Sequence, residues 1–171
     1  MRTIIVTTFL LCSSLQLIAQ RKEAGTDRKA IKSLPSKDSI DGFANKDAES
    51  VKTVLKQFNS AVEKLDVSLT EKLFTPDSKV YESGGSEGTF IHYLEHHLIP
   101  ELKSFKSFKY DDYKADVKVD GTYAFATESY NYTIVTLKEN TEIKRKGVAT
   151  SVLKKTNGEW KIMISHNSSR K

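Results

Sequence analysis

Hydrophobic residues first recur with a helical spacing along the chain and later alternate with polar residues. Between Asp47 and Lys64 the apolar positions fall three or four residues apart, which predicts an amphipathic helix. The apolar positions are Val51, Val54, Leu55, Phe58, Ala61, Val62 and Leu65. Ser68 and Glu71 have the spacing of a capping box, which predicts a short second helix that ends at Phe74.

A short strand and a third helix are predicted next. Residues 79–83 have strand character, and the glycine-rich residues 84–88 predict a turn. Thr89 is suited to cap the third helix. We expect this helix to end near Ile99, because Pro100 removes a backbone donor and crowds the preceding turn.

The second half of the chain alternates between apolar and polar residues over four long stretches. The predicted strands are residues 108–119, 123–137, 143–155 and 159–168. Asp120-Gly121 and Asn157-Gly158 are two-residue hairpin signals, which predict antiparallel neighbours. The element order predicts an α+β domain in which three helices pack on one side of a cone-shaped, curved antiparallel sheet.

Unbroken alternation on the last strand predicts which side chains face the sheet's interior. They are Trp160, Ile162, Ile164, His166 and Ser168. This face is apolar until His166, so we expect a pocket closed by Trp160 and open near His166. The alternative interpretation is a terminal strand whose polar end frays into solvent.

The first 20 residues have the features of a signal peptide. Arg2 precedes a short apolar run, residues 4–11, which is too short to span a bilayer. A cleavage site is predicted after Ala19. Cys12 is the only cysteine, and Leu11 before it is larger than a lipoprotein signal requires. We therefore expect a periplasmic or secreted protein that is not a lipoprotein.

The mature chain then lacks cysteine, which excludes disulfides, thiol nucleophiles and thiolate metal sites. Residues 21–46 contain few large apolar residues and predict a flexible tether, since such a segment cannot bury enough surface to fold alone. The predicted organisation is a signal peptide over 1–20, a tether over 21–46 and one domain over 47–171.

The formal net charge of +5 arises mainly outside the predicted domain. Residues 47–171 carry 19 Lys and Arg against 18 Asp and Glu. Binding to nucleic acid requires a basic patch on the folded body, and the sequence shows none, so no nucleic-acid partner is expected. No segment after the signal is long and apolar enough to predict membrane insertion.

Three of the four histidines lie on the predicted third helix. His92 and His96 are four residues apart and share a helix face, and His97 is turned about 100° from His96. The pair at four-residue spacing suits a zinc-like divalent metal if Glu82 or His166 supplies a third ligand. The alternative is that these histidines are exposed or hydrogen-bonded side chains without a metal.

Glu82 lies at the end of the first predicted strand. If it faces the interior, its carboxylate requires a partner, and His166, a helix histidine or a metal are the candidates. The alternative is a glutamate in water at a strand end. Further candidates for binding a ligand are Tyr81, Tyr130, Tyr132, Thr150, Trp160 and Ser168.

Three motifs together resemble the nuclear transport factor two-like superfamily, which includes ketosteroid isomerase, scytalone dehydratase and the SnoaL-like polyketide cyclases. The motifs are Glu82-Ser83-Gly84-Gly85, His96-His97-Leu98, and Trp160-Lys161-Ile162 followed by His166-Asn167-Ser168-Ser169. The resemblance is closest to exported bacterial members catalogued as a domain of unknown function, and it spans residues 47–171. Many relatives carry Trp after the last histidine, where this chain has Asn167.

The resemblance implies a polar cluster of Glu82, His166 and one of His96 and His97. Together these observations predict an exported small-molecule-binding protein with an apolar cone and a Glu/His cluster at its mouth. The first alternative is an isomerase, dehydratase or cyclase that uses Glu82 and His166 as acid and base. The second is an interaction module that forms a homodimer through its sheet.

Overall fold

The computed structural model describes residues 37–171. The predicted signal peptide and residues 21–36 of the predicted tether lie outside this range. Helix α1 spans Lys37–Glu63, and it buries Val51, Leu55 and Val62 as its periodicity predicts. The helix begins ten residues before Asp47, so it includes residues 37–46 of the segment predicted as a tether. The apolar pattern located the buried part of α1 and could not reveal its polar first turns.

The predicted second helix is wrong. Only a 3₁₀ turn, Glu71–Leu73, forms, and Phe74 already begins a strand. The Ser68 hydroxyl donates to Oδ1 of Asp66 at 2.7 Å instead of capping a helix. A serine hydroxyl that hydrogen-bonds to a side chain two residues away is not available to cap the first turn of a helix.

Six strands form one curved sheet. They are β1 Phe74–Glu82, β2 Gly85–Gly88, β3 Phe105–Asp120, β4 Tyr123–Thr136, β5 Glu142–Thr156 and β6 Glu159–Arg170. Their order is β2-β1-β6-β5-β4-β3, and every neighbouring pair is antiparallel except β1 and β6. This arrangement confirms the predicted α+β class and the four-stranded meander. The glycine-rich residues after β1, predicted as a turn, include the short edge strand β2.

The third predicted helix is present and is longer than expected. It consists of α2 Phe90–Tyr93, a π-helical turn Leu94–Leu98, and α3 Ile99–Leu102, which follow one another without a break. Thr89 caps its start by accepting from the amide of His92 at 3.4 Å, as predicted. Pro100 does not end it, because proline falls in the first turn after the wider π turn, where a missing donor is tolerated.

The closed end of the cone is packed with aromatic side chains and tied to α1. Phe74 and Phe90 stack with ring centroids 3.5 Å apart, and Phe58 meets both by its edge. Trp160 is 5% exposed, and its Nε1 donates to Oδ1 of Asp47 at 3.2 Å. The predicted role of Trp160 as a buried residue of the last strand is therefore correct.

Strand β6 changes phase at Met163. Ile162 pairs with Leu153 and Ile164 pairs with Val152, so Met163 is an extra residue in β6, a β-bulge. Before the bulge Trp160 and Ile162 face inward. After it the inward-facing side chains are Ser165, Asn167 and Ser169. The prediction of unbroken alternation is wrong, and Ile164 and His166 lie on the outer face.

None of the helices within residues 37–171 has both the length and the apolar character needed to cross a membrane.

Candidate functional site

A cavity of about 120 Å³ lies between the concave face of the sheet, α1 and the helical segment 90–102. Most of the residues that line it are aromatic or aliphatic. The aromatic lining residues are Phe58, Phe74, Phe90, Tyr93, Phe105, Phe108, Tyr110, Tyr130 and Tyr132. An apolar cavity with a few polar groups is the usual form of a small-molecule site.

Glu82 reaches the cavity from the end of β1. Its Oε1 accepts a hydrogen bond from Nδ2 of Asn167 at 3.1 Å. Its Oε2 lies 3.4 Å from Nε2 of His97, an ion-pair contact without hydrogen-bond geometry. This buried oxygen has no donor in hydrogen-bond geometry within residues 37–171. The nearby Tyr93 hydroxyl interacts with Glu82 closely enough to oppose the rise in its pKa.

His97 stands among three carboxylates at the mouth of the cavity. Besides Glu82, Oε2 of Glu87 lies 3.3 Å from its Nδ1, and Oε2 of Glu101 lies 3.9 Å from its Nε2. Burial raises the pKa of Glu82, against the opposing effect of His97, and the charges of Glu101 and Glu87 raise it further. Burial likewise raises the pKa of Glu101. The mouth is therefore a site where carboxyl groups take up protons more readily than in water.

A second buried carboxylate, Glu128, lies on the inner face of β4. Its side chain is 6% exposed, and Oε1 accepts from Nδ2 of Asn59 at 3.0 Å and from the Tyr113 hydroxyl at 2.7 Å. Burial raises the pKa of Glu128, and these two hydrogen bonds only partly offset it. Burial, with the charge of Glu128, also raises the pKa of Tyr110 and Tyr130, so both phenols stay neutral.

The sequence analysis missed Glu128, although a signal was present. Ala124, Ala126, Tyr130 and Ile134 share its side of β4 by simple alternation, and all of them face the interior. A glutamate in phase with such residues is predicted to be buried. Its partners Asn59 and Tyr113 come from α1 and β3, and no local spacing connects them to it.

The predicted pair of Glu82 and His166 does not form. Glu82 pairs along the backbone with Asn167, and Tyr81 pairs with His166, so Glu82 and His166 face opposite sides of the sheet. The physical reason is the bulge at Met163, which turns His166 outward. Asn167 takes the inward place, and its Nδ2 donates to Glu82.

The predicted ligand-binding residues divide between the two faces of the sheet. Tyr130 and Tyr132 line the cavity, and Ser168 lies at its margin. Tyr81 and His166 meet edge to face on the outer side with ring centroids 6.5 Å apart, and Thr150 pairs with His166 there. These three residues therefore do not line the cavity. Trp160 belongs to the closed end and is likewise absent from the described lining.

The predicted zinc-like site is not assembled. His92 and His96 are neighbours on an exposed helix face, with ring centroids 4.6 Å apart, and His92 Nδ1 lies 3.1 Å from the Glu87 carbonyl oxygen. His97 points to the cavity mouth, and His166 lies on the other side of the sheet. No group of three or more His, Cys, Asp or Glu within residues 37–171 is placed to hold a metal ion.

One contact fixes the position of a cavity tyrosine. The ring of Tyr130 lies directly over Gly147 on the neighbouring strand, in the volume that a β-carbon at residue 147 would occupy. An aromatic ring that covers a glycine in this way packs against bare backbone.

The fold is that of the nuclear transport factor two-like superfamily. The model of the SnoaL-like domain family matches residues 51–170, and the chain belongs to this family. Among curated proteins nothing matches.

Solved structures share the fold at low sequence identity. A nuclear transport factor two-like superfamily protein from Salmonella enterica serovar Typhimurium has a TM-score of 0.66 at 20% identity, over 72% of this chain and 91% of that one. A candidate ketosteroid isomerase from Shewanella frigidimarina has a TM-score of 0.59 at 23% identity, over 70% and 94%. Hexachlorocyclohexane dehydrochlorinase LinA-type3 from Novosphingobium barchaimii has a TM-score of 0.63 at 14% identity, over 78% and 91%.

Proposed function

We propose that this protein binds a compact organic molecule in the cavity between α1, the helical segment 90–102 and the concave sheet. The observation that carries the proposal is an aromatic cavity at which Glu82 has a buried oxygen without a partner in hydrogen-bond geometry. Burying a polar group without a partner is costly, and such a cost is tolerated where a ligand supplies the partner. The similar solved structures named above include a candidate ketosteroid isomerase and a hexachlorocyclohexane dehydrochlorinase, which supports a function that involves binding a small molecule.

The size of the cavity limits the ligand. Its volume of about 120 Å³ is close to that of an engineered protein cavity of about 150 Å³ that binds benzene. We therefore expect a ligand with a single ring or a chain of similar bulk.

The binding proposal is tested by titrating single-ring compounds while recording amide chemical shifts by NMR. Ala149 lines the cavity, and Thr150 follows it on the outer face, so they form a matched pair. We expect saturable shifts in the wild type and in Thr150→Leu, and loss of binding in Ala149→Leu, with folding of both variants verified by circular dichroism. Equal binding by the two variants, or no saturable binding by the wild type, would exclude the cavity as the site.

A second candidate function is acid–base catalysis by Glu82 with His97, and it replaces the predicted use of His166. The supporting observation is the carboxyl oxygen of Glu82, which is buried beside the imidazole and has its pKa raised by burial. A raised carboxyl pKa brings a general base closer to neutral pH.

Catalysis of this kind is tested by proton exchange. Incubation of the protein with a cyclic ketone in D₂O should incorporate deuterium beside the carbonyl, as recorded by NMR. We expect Glu82→Gln to abolish the incorporation and His166→Ala to preserve it. Exchange at the uncatalysed rate in the wild type would reject this candidate function.

The predicted homodimer remains a proposal, and its support is the outer face of the sheet. Phe125 is 51% exposed there, Val148 is 53% exposed and Tyr81 is 39% exposed. A sheet face that exposes several large apolar side chains is suited to contact a second copy of the chain.

We also propose export to the periplasm or the exterior, on the support of the signal-like residues 1–20. Fractionation of cells, with sequencing of the mature N-terminus, tests this proposal and should show cleavage after Ala19.

A further inference from the structure

The charged groups of the cavity are all of one sign. The described lining contains Glu82, Glu101 and Glu128, and it contains neither lysine nor arginine. Glu87 adds a fourth carboxylate at the mouth. Among residues 37–171, His97 is the only basic side chain in ion-pair contact with Glu82, Glu87 and Glu101. One imidazole carries at most one positive charge, so the side chains around the cavity cannot balance four ionised carboxylates.

Two of these carboxyl groups have an oxygen without a hydrogen-bond donor in the described part of the chain. Glu82 has a buried Oε2 of this kind at the mouth. Glu128 receives both of its hydrogen bonds at Oε1, and its side chain is more than nine-tenths buried in the cavity wall. Oε2 of Glu128 accepts no hydrogen bond from the described residues and is not itself fully buried, so it is an accessible acceptor. The two carboxyl groups belong to different strands, β1 and β4, so two elements of the wall contribute acceptors.

Aromatic rings line the same cavity as the two carboxyl groups. Tyr110 meets Tyr130 edge to face at 5.0 Å, and Phe108 stacks on Tyr132 at 5.3 Å. The face of an aromatic ring carries negative electrostatic potential and attracts a cation within about 6 Å of its centre. The rings and the carboxylates therefore favour the same sign of charge on a ligand.

We infer that the cavity selects a small ring compound that carries a positive charge, as a protonated or quaternary amine. This inference rests on the proposed binding function and specifies the chemical class of its ligand. The ammonium group of such a ligand donates hydrogen bonds to Glu82 and Glu128 and supplies a compensating positive charge. The ring of the ligand fills the aromatic part of the cavity. A carboxylate ligand would place another negative charge beside acceptors that have no donor to offer it.

The inference is tested with three probes of nearly equal size: benzylammonium, benzyl alcohol and benzoate. Their dissociation constants are measured by titration calorimetry at neutral pH on the wild type, Glu128→Gln, Glu82→Gln and Glu95→Gln. Glu95 is an exposed residue of the helical segment, so Glu95→Gln removes one negative charge away from the cavity and controls for the overall charge.

We expect the wild type to bind benzylammonium about tenfold more tightly than benzyl alcohol. A cation–π contact in a desolvated site increases the affinity by roughly this factor. Benzoate should bind more weakly than either. Glu128→Gln keeps an oxygen that accepts from Asn59 and Tyr113, and it should reduce the affinity for benzylammonium to that for benzyl alcohol. Glu82→Gln should reduce the affinity for benzylammonium by a smaller factor. Glu95→Gln should leave all three constants unchanged.

The outcomes separate this inference from the proposed function. If benzyl alcohol binds as tightly as benzylammonium, the charge selectivity is wrong and the binding function stands. If Glu95→Gln weakens benzylammonium as much as both cavity variants do, the preference is a general charge effect and the inference is wrong. If none of the three probes binds, the proposed function and the inference fail together.

Discussion

Single residues set the chemistry of this cavity through their degree of burial. Glu128 is removed from water by the inner face of the sheet, and Glu82 is half-buried at the junction of β1 with the helical segment. Alternation along β4 is sufficient to predict that Glu128 is buried. Its bonds to Asn59 and Tyr113 join residues 69 and 15 positions apart in the chain, which no spacing rule reveals.

The raised pKa of Glu128 makes stability depend on pH. A carboxyl group with a higher pKa in the folded state favours folding fully below its unfolded pKa of about 4.3, and this contribution is lost as the pH rises through the folded pKa. We therefore expect Glu128→Gln to gain stability relative to the wild type as the pH rises from 4 to 8, in urea denaturation. Glu139→Gln, in an exposed loop, is the control and should follow the wild type. A constant difference between Glu128→Gln and the wild type over this range would contradict the assigned shift.

Trp160 anchors the closed end of the cone, because it is buried and joined to α1 through Asp47. We expect Trp160→Ala to lower the free energy of unfolding by about 3–5 kcal/mol, the usual cost of deleting a buried aromatic side chain. Leu69 is 70% exposed, and Leu69→Ala should change stability by less than about 0.5 kcal/mol. Chemical denaturation measures both values. Similar small losses in the two variants would show that Trp160 does not carry the packing described.

At the scale of elements, the bulge in β6 decides which histidine belongs to the site. Both phases of this strand are compatible with its sequence, because Ile164 is apolar and suits either face. The phase is set by pairing with β5 and β1, which are distant in the chain. The same limit applies to the helical segment, where Thr89 predicted the start correctly and the π turn that carries the helix past Pro100 had no local signature.

The corrected phase predicts which side chains are energetically coupled to Glu82. A double-mutant cycle on Glu82→Gln and His97→Ala should give a coupling of roughly 0.5–3 kcal/mol in the free energy of unfolding, because the side chains are in contact. The matched cycle on Glu82→Gln and His166→Ala should be additive within about 0.5 kcal/mol, because the sheet separates the two side chains. A larger coupling to His166 than to His97 would restore the unbroken strand and contradict the bulge.

At the scale of the whole molecule, the order of elements carries most of the information about the fold. Hairpin signals at Asp120-Gly121 and Asn157-Gly158 fix the meander, and the helical periodicity of residues 51–65 fixes the element that covers it. The cavity follows from this architecture. Its polar groups do not, because they depend on the junctions of β1, β6 and the helical segment, where register and phase are tertiary properties.

The proposed dimer belongs to this scale as well. Light scattering at micromolar concentration should give twice the monomer mass for the wild type. Phe125→Lys should give the monomer mass, since it places a charge in the apolar outer face. Leu69→Lys introduces the same charge away from the sheet and should leave the dimer intact. A monomeric wild type would refute pairing through this face.

The ring of Tyr130 over Gly147 has a consequence for how this architecture diversifies. Any side chain at residue 147 must displace the ring, and the ring forms part of the cavity wall. A single substitution on the neighbouring strand therefore changes the shape of the cavity through a residue outside its described lining. The size of ligand that this architecture accepts can in this way be altered from a position that does not contact the ligand.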